Sequence, residues 1–386
     1  MIRSFSASYA GHVVDDGLGF AGVPANDRHY SNEALAQSFS WALDIAQHLE
    51  NLGYDEFWMA EHHFQPEGYE CIPNLLMLNL YLANHTDRIK FGCGFNIAPM
   101  WHPLRLAEDF AMADILTGGR VIFGVGRGYH TREVETFGSP MLDGDANREL
   151  FEEQIELILT AFREESFSFQ GKHFQIPADV PYRGYRLEKL TLVPRPLNQP
   201  VEVWQPLVSG NPRGIDFMAK MGIRPLMANT PEPPLGERMG LYRDAAAAHG
   251  RDLKLGENVG LGYRFFIAET QDKAIDMARP YFEEAMKFAA PLGLTALSPE
   301  QIEAVADSPR SRGVKLPTLE EAVAGGGWLC GPPELIVEHF ERVEERYPGI
   351  ERINVGAVMG MPLDVFKDQL TRFAEGVMPE FVGRSG

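Results

Sequence analysis

The feature that most constrains the fold is a short apolar stretch that runs directly into a basic, glycine-rich turn. Residues 116–119 read LTGG, the pattern of a helix that ends at glycine, which tolerates a left-handed backbone. Val121–Gly126 then has the composition and length of a buried strand. Arg127, Gly128 and Tyr129 follow that strand at once. The pattern predicts an α/β fold in which this turn lies at the carboxyl end of a parallel strand.

The residues of this turn leave two interpretations open. The forked donors of Arg127, beside glycines that let a ligand approach the backbone, suit a phosphate group. A turn whose arginine pairs with a carboxylate explains the same residues equally well. A dinucleotide-binding fingerprint is excluded, because Gly124 and Gly126 start the pattern but Tyr129 occupies the third glycine position.

The composition indicates a large α/β protein and argues against nucleic-acid binding. The chain has 386 residues, of which 45% are hydrophobic and 23% charged, so it can bury a large core. Its formal net charge of -19 is spread along the sequence, which disfavours nucleic acid or an anionic membrane surface as a partner. A local phosphate site is compatible with this charge, because an arginine acts at short range.

Cysteine usage and the amino terminus predict a cytoplasmic protein. Cys71, Cys93 and Cys330 lie far apart, without the spacing of a metal site, and an odd count argues against a disulfide framework. No apolar run follows Arg3, so we expect no secretory signal, and no segment has the length of a membrane span.

Strands and helices alternate along the whole sequence, which predicts a parallel sheet. A plain eight-fold barrel takes about 250 residues, and the surplus here falls at residues 10–32, 167–200 and 292–327. We therefore predict one (β/α)8 TIM barrel over residues 1–386, with these insertions at its C-terminal rim and no interdomain linker. The predicted strands are 3–9, 54–60, 89–95, 121–126, 201–205, 224–228, 261–268 and 353–358.

Three titratable residues close the second predicted strand, where a barrel enzyme places catalytic groups. On an extended backbone Glu61 and His63 share one side and His62 takes the other, so a metal ion held by all three is disfavoured. The spacing HExxH is also absent. His62 suits a general base or a cofactor contact. The alternative is a pair of hydrogen-bonded histidines that brace the strand end, which we favour for His63.

A second phosphate contact is predicted one βα unit after Arg127. Ser209, Gly210 and Asn211 follow the fifth predicted strand and precede a helix, so they offer a hydroxyl and free backbone amides at a helix N-terminus. In a barrel the two turns are neighbours at the same rim.

Three motifs together are similar to those of one enzyme family. They are AEHHF at 60–64, HPLRLAEDFAMADILTGGR at 102–120 and FGVGRGYHTREVETFG at 123–138. In their order and spacing the chain resembles the bacterial luciferase-like family of flavin-dependent monooxygenases, from about residue 54 to 227 and more faintly from 331 to 381. The resemblance implies a barrel that binds FMN at its C-terminal rim. It also implies that reduced flavin reacts with O2 to give a C4a-peroxyflavin that attacks the substrate.

The resemblance also assigns site residues, each by its match to a family motif. The Gly94-Phe95 bond matches a non-prolyl cis peptide beside the flavin ring, and Glu133 matches an aspartate that influences flavin binding. Two departures limit the match: Gly126 replaces a reactive cysteine, and residues 292–327 differ from the mobile lid of luciferase. The resulting predictions are His62 and Glu61 as catalytic residues, Gly94, Phe95, Arg127, Gly128, Tyr129, Glu133, Ser209, Gly210 and Asn211 as FMN-binding residues, and no metal.

These observations predict an FMNH2-dependent monooxygenase that acts on a small, apolar organic substrate. A separate reductase is expected because the chain has no nicotinamide-binding fingerprint, and the resemblance suggests a homodimer formed through the helices after the second and third strands. The alternatives are a deazaflavin-dependent oxidoreductase that transfers hydride, and a flavin-binding partner subunit without catalysis. A barrel metal hydrolase is disfavoured, because no set of His and Asp residues has the required spacing.

Overall fold

Eight parallel strands close into a barrel surrounded by helices. The structure, a computed structural model, describes residues 1–14, 17–295, 297–306 and 313–383. The strands are β1 (Ser4–Tyr9), β2 (Glu56–Met59), β3 (Lys90–Cys93), β4 (Asn96–Ile97), β5 (Val121–Gly126), β6 (Phe169–Gln170), β7 (Gln175–Ile176), β8 (Pro181–Tyr182), β9 (Tyr185–Arg186), β10 (Val203–Pro206), β11 (Arg224–Ala228), β12 (Gly260–Ile267), β13 (Trp328–Gly331) and β14 (Arg352–Gly356). Strand pairing runs β1-β2-β3-β5-β10-β11-β12-β14 and returns to β1, with every pair parallel. The predicted (β/α)8 barrel is therefore confirmed.

Most helices lie around the outside of the barrel, and a few short ones lie within its loops. None of the helices within the described residues combines the length and apolar composition that a membrane crossing requires. The helices are α1 (Asn32–Leu52), α2 (Leu75–Ala83), α3 (Pro103–Leu116), α4 (Thr131–Thr136), α5 (Gly144–Arg163), α6 (Pro212–Met221), α7 (Pro234–Ala248), α8 (Gln271–Ala289), α9 (Pro299–Ala306), α10 (Leu319–Ala324), α11 (Pro333–Arg346) and α12 (Leu363–Gly376).

Helix and strand ends follow the local sequence signals closely. α1 begins after Ser31, whose side chain accepts a hydrogen bond from Ala34 N, and ends at Gly53, which adopts a left-handed conformation with φ 84°. α3 begins at Pro103 because a proline at the first helical position loses no helical hydrogen bond.

Two details differ from what local sequence signals indicate. Threonine is a common N-cap, yet Thr131 is the first residue of α4, and His130 takes the cap position without a side-chain cap bond. β13 was not anticipated: it is a four-residue strand that pairs with β12 outside the ring, at the end of an insertion without clear periodicity.

Aromatic side chains fill the inside of the barrel. Trp58, Ile122 and Trp204 form a separate buried cluster, against which Phe95 and Leu226 pack. Glycines on the strands leave the space that these rings occupy: a Cβ on Gly92 would overlap the Trp58 ring, and one on Gly260 would lie 3.0 Å from Trp204. This cluster fills the interior, as side-chain layers do in TIM barrels, so the barrel has a packed core and not a pore.

A buried charged cluster ties the first insertion to α8. The Glu284 carboxylate accepts hydrogen bonds from the Tyr69 hydroxyl at 2.7 Å and from Lys287 Nζ at 2.9 Å, and it pairs with the Arg28 guanidinium at 3.0 Å. Lys287 Nζ also donates to the carbonyl of Gly19 at 3.0 Å. Residues 17–30 are thereby held against α8 and against the loop that follows β2.

The other two insertions contain short elements. Residues 167–200 carry two small antiparallel hairpins, β6-β7 and β8-β9. Residues 292–327 carry α9 and α10, and α10 begins at a capping box between Thr318 and Glu321. Residues 296 and 307–312, where part of the expected lid falls, lie outside the described residues.

Candidate active site

The three titratable residues shortly after β2 present their side chains to opposite sides, as alternation along an extended backbone predicts. His63 Nε2 lies 3.2 Å from Glu61 Oε1, whereas His62 faces away, towards Glu133. Glu61 is buried, with 1% of its surface exposed, and it accepts hydrogen bonds at 2.9 Å from the backbone N–H of Ile97 and from the Trp101 indole. The Glu61 carboxylate thus joins the end of β2 to β4 and the turn that follows it.

His62 lies at the centre of a buried hydrogen-bond network. Its Nδ1 is 3.2 Å from the Glu133 carboxylate, and its Nε2 is 2.9 Å from the Tyr129 hydroxyl and 3.2 Å from Glu70. Tyr129 donates its hydroxyl proton to Glu70 at 3.0 Å, and His130 Nε2 lies 3.3 Å from the same carboxylate. The network joins the loop after β2 to the turn after β5.

The carboxylates of this network favour a protonated His62. Burial alone would lower the pKa of His62, but the negative charges of Glu70 and Glu133 outweigh burial and raise that pKa. Burial would raise the pKa of Glu133, yet its hydrogen bond to His62 lowers it. The pKa of Tyr129 lies well above its usual value because of burial and the adjacent Glu70. His62 is therefore suited to hold a proton at the mouth, and Tyr129 to remain a neutral donor.

The same network could hold a metal ion, but hydrogen bonds already account for it. Ligand atoms of His62, Glu70 and His130 lie within 4.8 Å of one another. The Tyr129 hydroxyl contacts both His62 and Glu70, and Gln65 contacts Glu70 and Glu133. Each ligand atom thus has a protein partner.

The bond between Gly94 and Phe95 is a cis peptide, as the resemblance predicts. Gly94 and Phe95 remain partly exposed at the mouth, and the Phe95 ring lies 6.3 Å from that of Trp58. Glycines on β5 make room for the bend: a Cβ on Gly124 would overlap the Cys93 carbonyl, and one on Gly126 would lie 3.3 Å from Phe95 Cβ. This packing leaves a backbone surface that a planar ring can approach.

Two arginines meet beyond the carboxyl ends of β5 and β10. Arg127 Nη1 donates to Asn147 Oδ1 at 3.1 Å, and no carboxylate within the described residues forms an ion pair with it. Burial and the nearby positive charge of Arg148 lower the pKa of Arg127. A Cβ on Gly214 would lie 2.8 Å from Arg148 Nη1, so Arg148 lies against the first turn of α6. Two positively charged side chains beside the N-terminus of a helix suit the binding of a phosphate group.

The second predicted phosphate turn borders the same place. β10 pairs directly with β5, so the turns after these strands are neighbours, as a barrel requires. Ser209 and Gly210 are exposed, and the Asn211 side chain caps α6 by accepting a hydrogen bond from Gly214 N at 3.1 Å. The Asn211 amide oxygen is therefore already occupied, whereas the Ser209 hydroxyl has no hydrogen-bond partner among the residues that the structure describes.

Sequence reasoning missed four residues of this region: Glu70, His130, Arg148 and Arg264. Glu70 lies in an irregular loop, and Arg148 resembles any other charge on a helix surface, so neither carried a signal. His130 belongs to the RGYH motif and could have been chosen with Tyr129. Arg264 interrupts the apolar strand GLGYRFFI, and a charge in such a strand is unusual enough to indicate a site.

One family model matches most of the sequence and shows the family of this chain. The model of the luciferase-like monooxygenases matches residues 20–348, most of the chain. The chain belongs to the luciferase-like monooxygenase family. The resemblance drawn from the EHH and RGYH motifs is thereby confirmed.

Named relatives of this family member match at low identity. The oxygenase component of flavin-dependent trigonelline monooxygenase from Acinetobacter baylyi is 23% identical, over 92% of this chain and 93% of its own. Limonene 1,2-monooxygenase from Rhodococcus erythropolis is 24% identical, over 81% and 74%. Two uncharacterised proteins of Sinorhizobium fredii are 34% and 28% identical, and this chain spans 40% of the length of each.

Solved structures support the fold. The oxygenating constituent of 3,6-diketocamphane monooxygenase from Pseudomonas putida, solved with FMN, aligns with a TM-score of 0.74 at 18% identity over 98% of this chain and 99% of its own. An F420-dependent secondary alcohol dehydrogenase aligns with a TM-score of 0.68 at 16% identity over 98% of this luciferase-like chain. The same barrel fold thus occurs in a protein solved with FMN and in one described as F420-dependent.

Replacing Glu133 by Gln should lower the pKa of His62, because burial then opposes protonation with one carboxylate fewer. Protonated His62 stabilises the fold fully below its ordinary pKa of about 6.5, and this stabilisation is lost as pH rises through the raised pKa. Each unit by which the pKa falls should remove about 1.4 kcal/mol of stability at low pH. NMR titration of the imidazole measures the shift. Glu135→Gln, on the same helix but bonded to Met141 N and Leu142 N, is the control. An unchanged His62 pKa in Glu133→Gln would contradict the network.

Proposed function

We propose that this protein is a monooxygenase that uses reduced FMN and O2 to oxygenate a small organic molecule. The observation that carries the proposal is the pair Arg127 and Arg148 at the N-terminus of α6, two cations without a carboxylate partner in the described residues. Arg127 lies in the same turn as Tyr129, whose hydroxyl lies 2.9 Å from Nε2 of the buried His62. Family membership and the names of the relatives support the reaction class.

The residues present suit a flavin mononucleotide. Arg127 and Arg148 would bind the phosphate, helped by backbone N–H groups of residues 209–211. The cis bend at Gly94-Phe95 and the glycines of β5 leave a flat backbone surface for the isoalloxazine ring. When bound, reduced FMN supplies the electrons that activate O2.

The chain itself would hold and move the proton that oxygenation requires. In the proposed mechanism His62 holds this proton on Nε2 and exchanges it through the Tyr129 hydroxyl, while Glu133 orients the imidazole through Nδ1. Glu61, whose carboxylate is fully engaged, is assigned a positioning role: it fixes the strand end that carries His62. Residues 17–30, which the charged cluster around Glu284 holds against α8, would limit access of water to this site.

A separate reductase would supply the reduced flavin. The trigonelline relative is named an oxygenase component, a name that implies a second protein for its reaction. The present sequence has no nicotinamide-binding fingerprint, so we propose the same division of labour here.

The test is a comparison of FMN, reduced FMN and coenzyme F420 as ligands under anaerobic conditions, followed by admission of air. We expect reduced FMN to bind and its absorbance to return to that of the oxidised form at a rate that differs from free reduced FMN and changes in His62→Asn. Binding of F420 without binding of FMN would establish the deazaflavin alternative. Binding of reduced FMN whose reaction with O2 is unaltered by the protein would indicate a subunit without catalysis.

Arg127→Met and Arg148→Met should each weaken FMN binding by at least about tenfold, the loss expected when a charged hydrogen bond is removed. Riboflavin, which lacks the phosphate, should bind wild type and variants alike. Fluorescence titration measures both affinities, and Arg105→Met, an exposed arginine on α3, is the matched control. Equal losses for FMN and riboflavin would contradict a phosphate role.

We propose that the protein forms a homodimer through α2 and α3. These helices pack on each other and expose five large apolar side chains. Burial of these side chains between two subunits would lower the free energy, because it removes apolar surface from water. They are Met77, Tyr81, Met112, Ile115 and Leu116.

Replacing both Met112 and Leu116 by Glu should convert a dimer into a monomer, because two charges would then face the apolar surface. Light scattering after size-exclusion chromatography measures the mass. Met277→Glu, at an exposed position on α8, is the control and should leave the mass unchanged. A monomeric wild type, or a double variant with unchanged mass, would refute the dimer.

A further inference from the structure

A charged side chain lies inside the barrel, away from the two arginines described above. Arg264 is in the middle of β12, where it pairs with Gly356 of β14 and Trp328 of β13. Its neighbours Tyr263 and Phe265 contact Phe340 and Phe373 on the outer helices. Because side chains alternate along a strand, Arg264 points to the inner face.

The absence of a side chain at Gly356 leaves the space that the Arg264 guanidinium occupies. A Cβ on Gly356 would overlap Nη1 of Arg264 and would lie 2.7 Å from Oγ of Ser8. The guanidinium and the Ser8 hydroxyl therefore flank the same glycine, across the seam between β14 and β1. Ser8 and Arg264 are both only partly buried, so a ligand at the mouth can reach them.

Neither group has a partner within the described part of the chain. No carboxylate there lies within ion-pair distance of Arg264, and no hydrogen bond is formed by its guanidinium or by the Ser8 hydroxyl. Burial lowers the pKa of Arg264, while the charge of Glu70 acts in the opposite direction from beyond contact distance. A cation withdrawn from water without a partner is costly, so such an arrangement is expected where an anion binds.

We propose that Arg264 and Ser8 bind an anionic group of the organic substrate, a carboxylate. The proposal rests on the proposed oxygenase function, which makes the bound molecule a substrate. It replaces the expected wholly apolar substrate by one whose apolar body carries one negative group. Glu70 and Tyr129, which belong to the His62 network, both act to raise the pKa of Arg264, against the effect of burial, so the guanidinium lies on the side of this network. The carboxylate would therefore anchor the substrate beside the proton-holding imidazole.

The flavin phosphate is a poorer occupant of this place. The phosphate region lies beyond the ends of β5 and β10, whereas β12 is separated from β10 by β11 in the ring. Arg264 also lies within its strand and not in the turn after it. The two cationic places are thus at different depths and on different sides of the mouth, which suits two ligands.

The test uses the full chain without flavin and two pairs of probes, benzoate with benzamide and nicotinate with nicotinamide. Dissociation constants are measured by titration with saturation-transfer NMR. We expect at least one carboxylate to bind and its amide to bind more weakly. Arg264→Met should weaken carboxylate binding by at least about tenfold, with little effect on the amide, and Arg264→Lys should lose less.

Further variants separate a binding role from a role in folding. Ser8→Ala removes a single hydroxyl and should weaken carboxylate binding several-fold, with unchanged thermal stability. Arg105→Met is the control for loss of an arginine elsewhere. Equal binding of carboxylate and amide, carboxylate binding unaffected in Arg264→Met and Ser8→Ala, or no binding of any carboxylate would overturn the proposal.

The flavin is tested separately. Arg264→Met should retain the FMN affinity of the wild type, and loss of FMN affinity with carboxylate binding intact would assign Arg264 to the flavin and overturn the proposal. A wild type that fails to bind FMN but binds carboxylates through Arg264 would remove the oxygenase function while leaving the anion site in place.

Discussion

The mouth of the barrel depends on the ion-pair network around His62. Two buried carboxylates, Glu70 and Glu133, would be costly without a positive partner, and both lie 3.2 Å from the His62 imidazole, whose pKa they raise. The same contacts join the loop after β2 to the turn after β5, the two segments that carry the family motifs. Electrostatic pairing therefore sets both the shape of the site and the protonation of its central residue.

Around this network the mouth divides into regions of different chemistry. Arg127 and Arg148 create a positive region at the end of β5, and Arg264 creates another within β12. Partly exposed backbone at Gly94 and Phe95 lies on β3's side of the ring, near the Trp58 cluster. Two positive regions at different positions around the mouth, with partly exposed backbone at Gly94 and Phe95 between other strands, suit a phosphorylated ring compound and a second, smaller anion.

The sequence was sufficient for the barrel but only partly for the site. Periodicity and end signals such as Gly53 and Pro103 are local, so strand and helix bounds followed from them with errors of a few residues. Contacts such as Glu70 with His62 and Arg148 with Arg127 join segments far apart, and no local pattern carries them. Arg264 is the exception, because a charge within an apolar strand is visible in the sequence and its meaning depends only on which face it takes.

The buried charged cluster around Glu284 also has a consequence for the order of folding. It joins Gly19 and Arg28, from the segment after β1, to a helix that follows β12, more than 250 residues later. Bringing these groups together closes a loop of more than 250 residues, at a cost in entropy that the ion pairs must offset. We therefore expect the contacts between residues 17–30 and α8 to form late in folding.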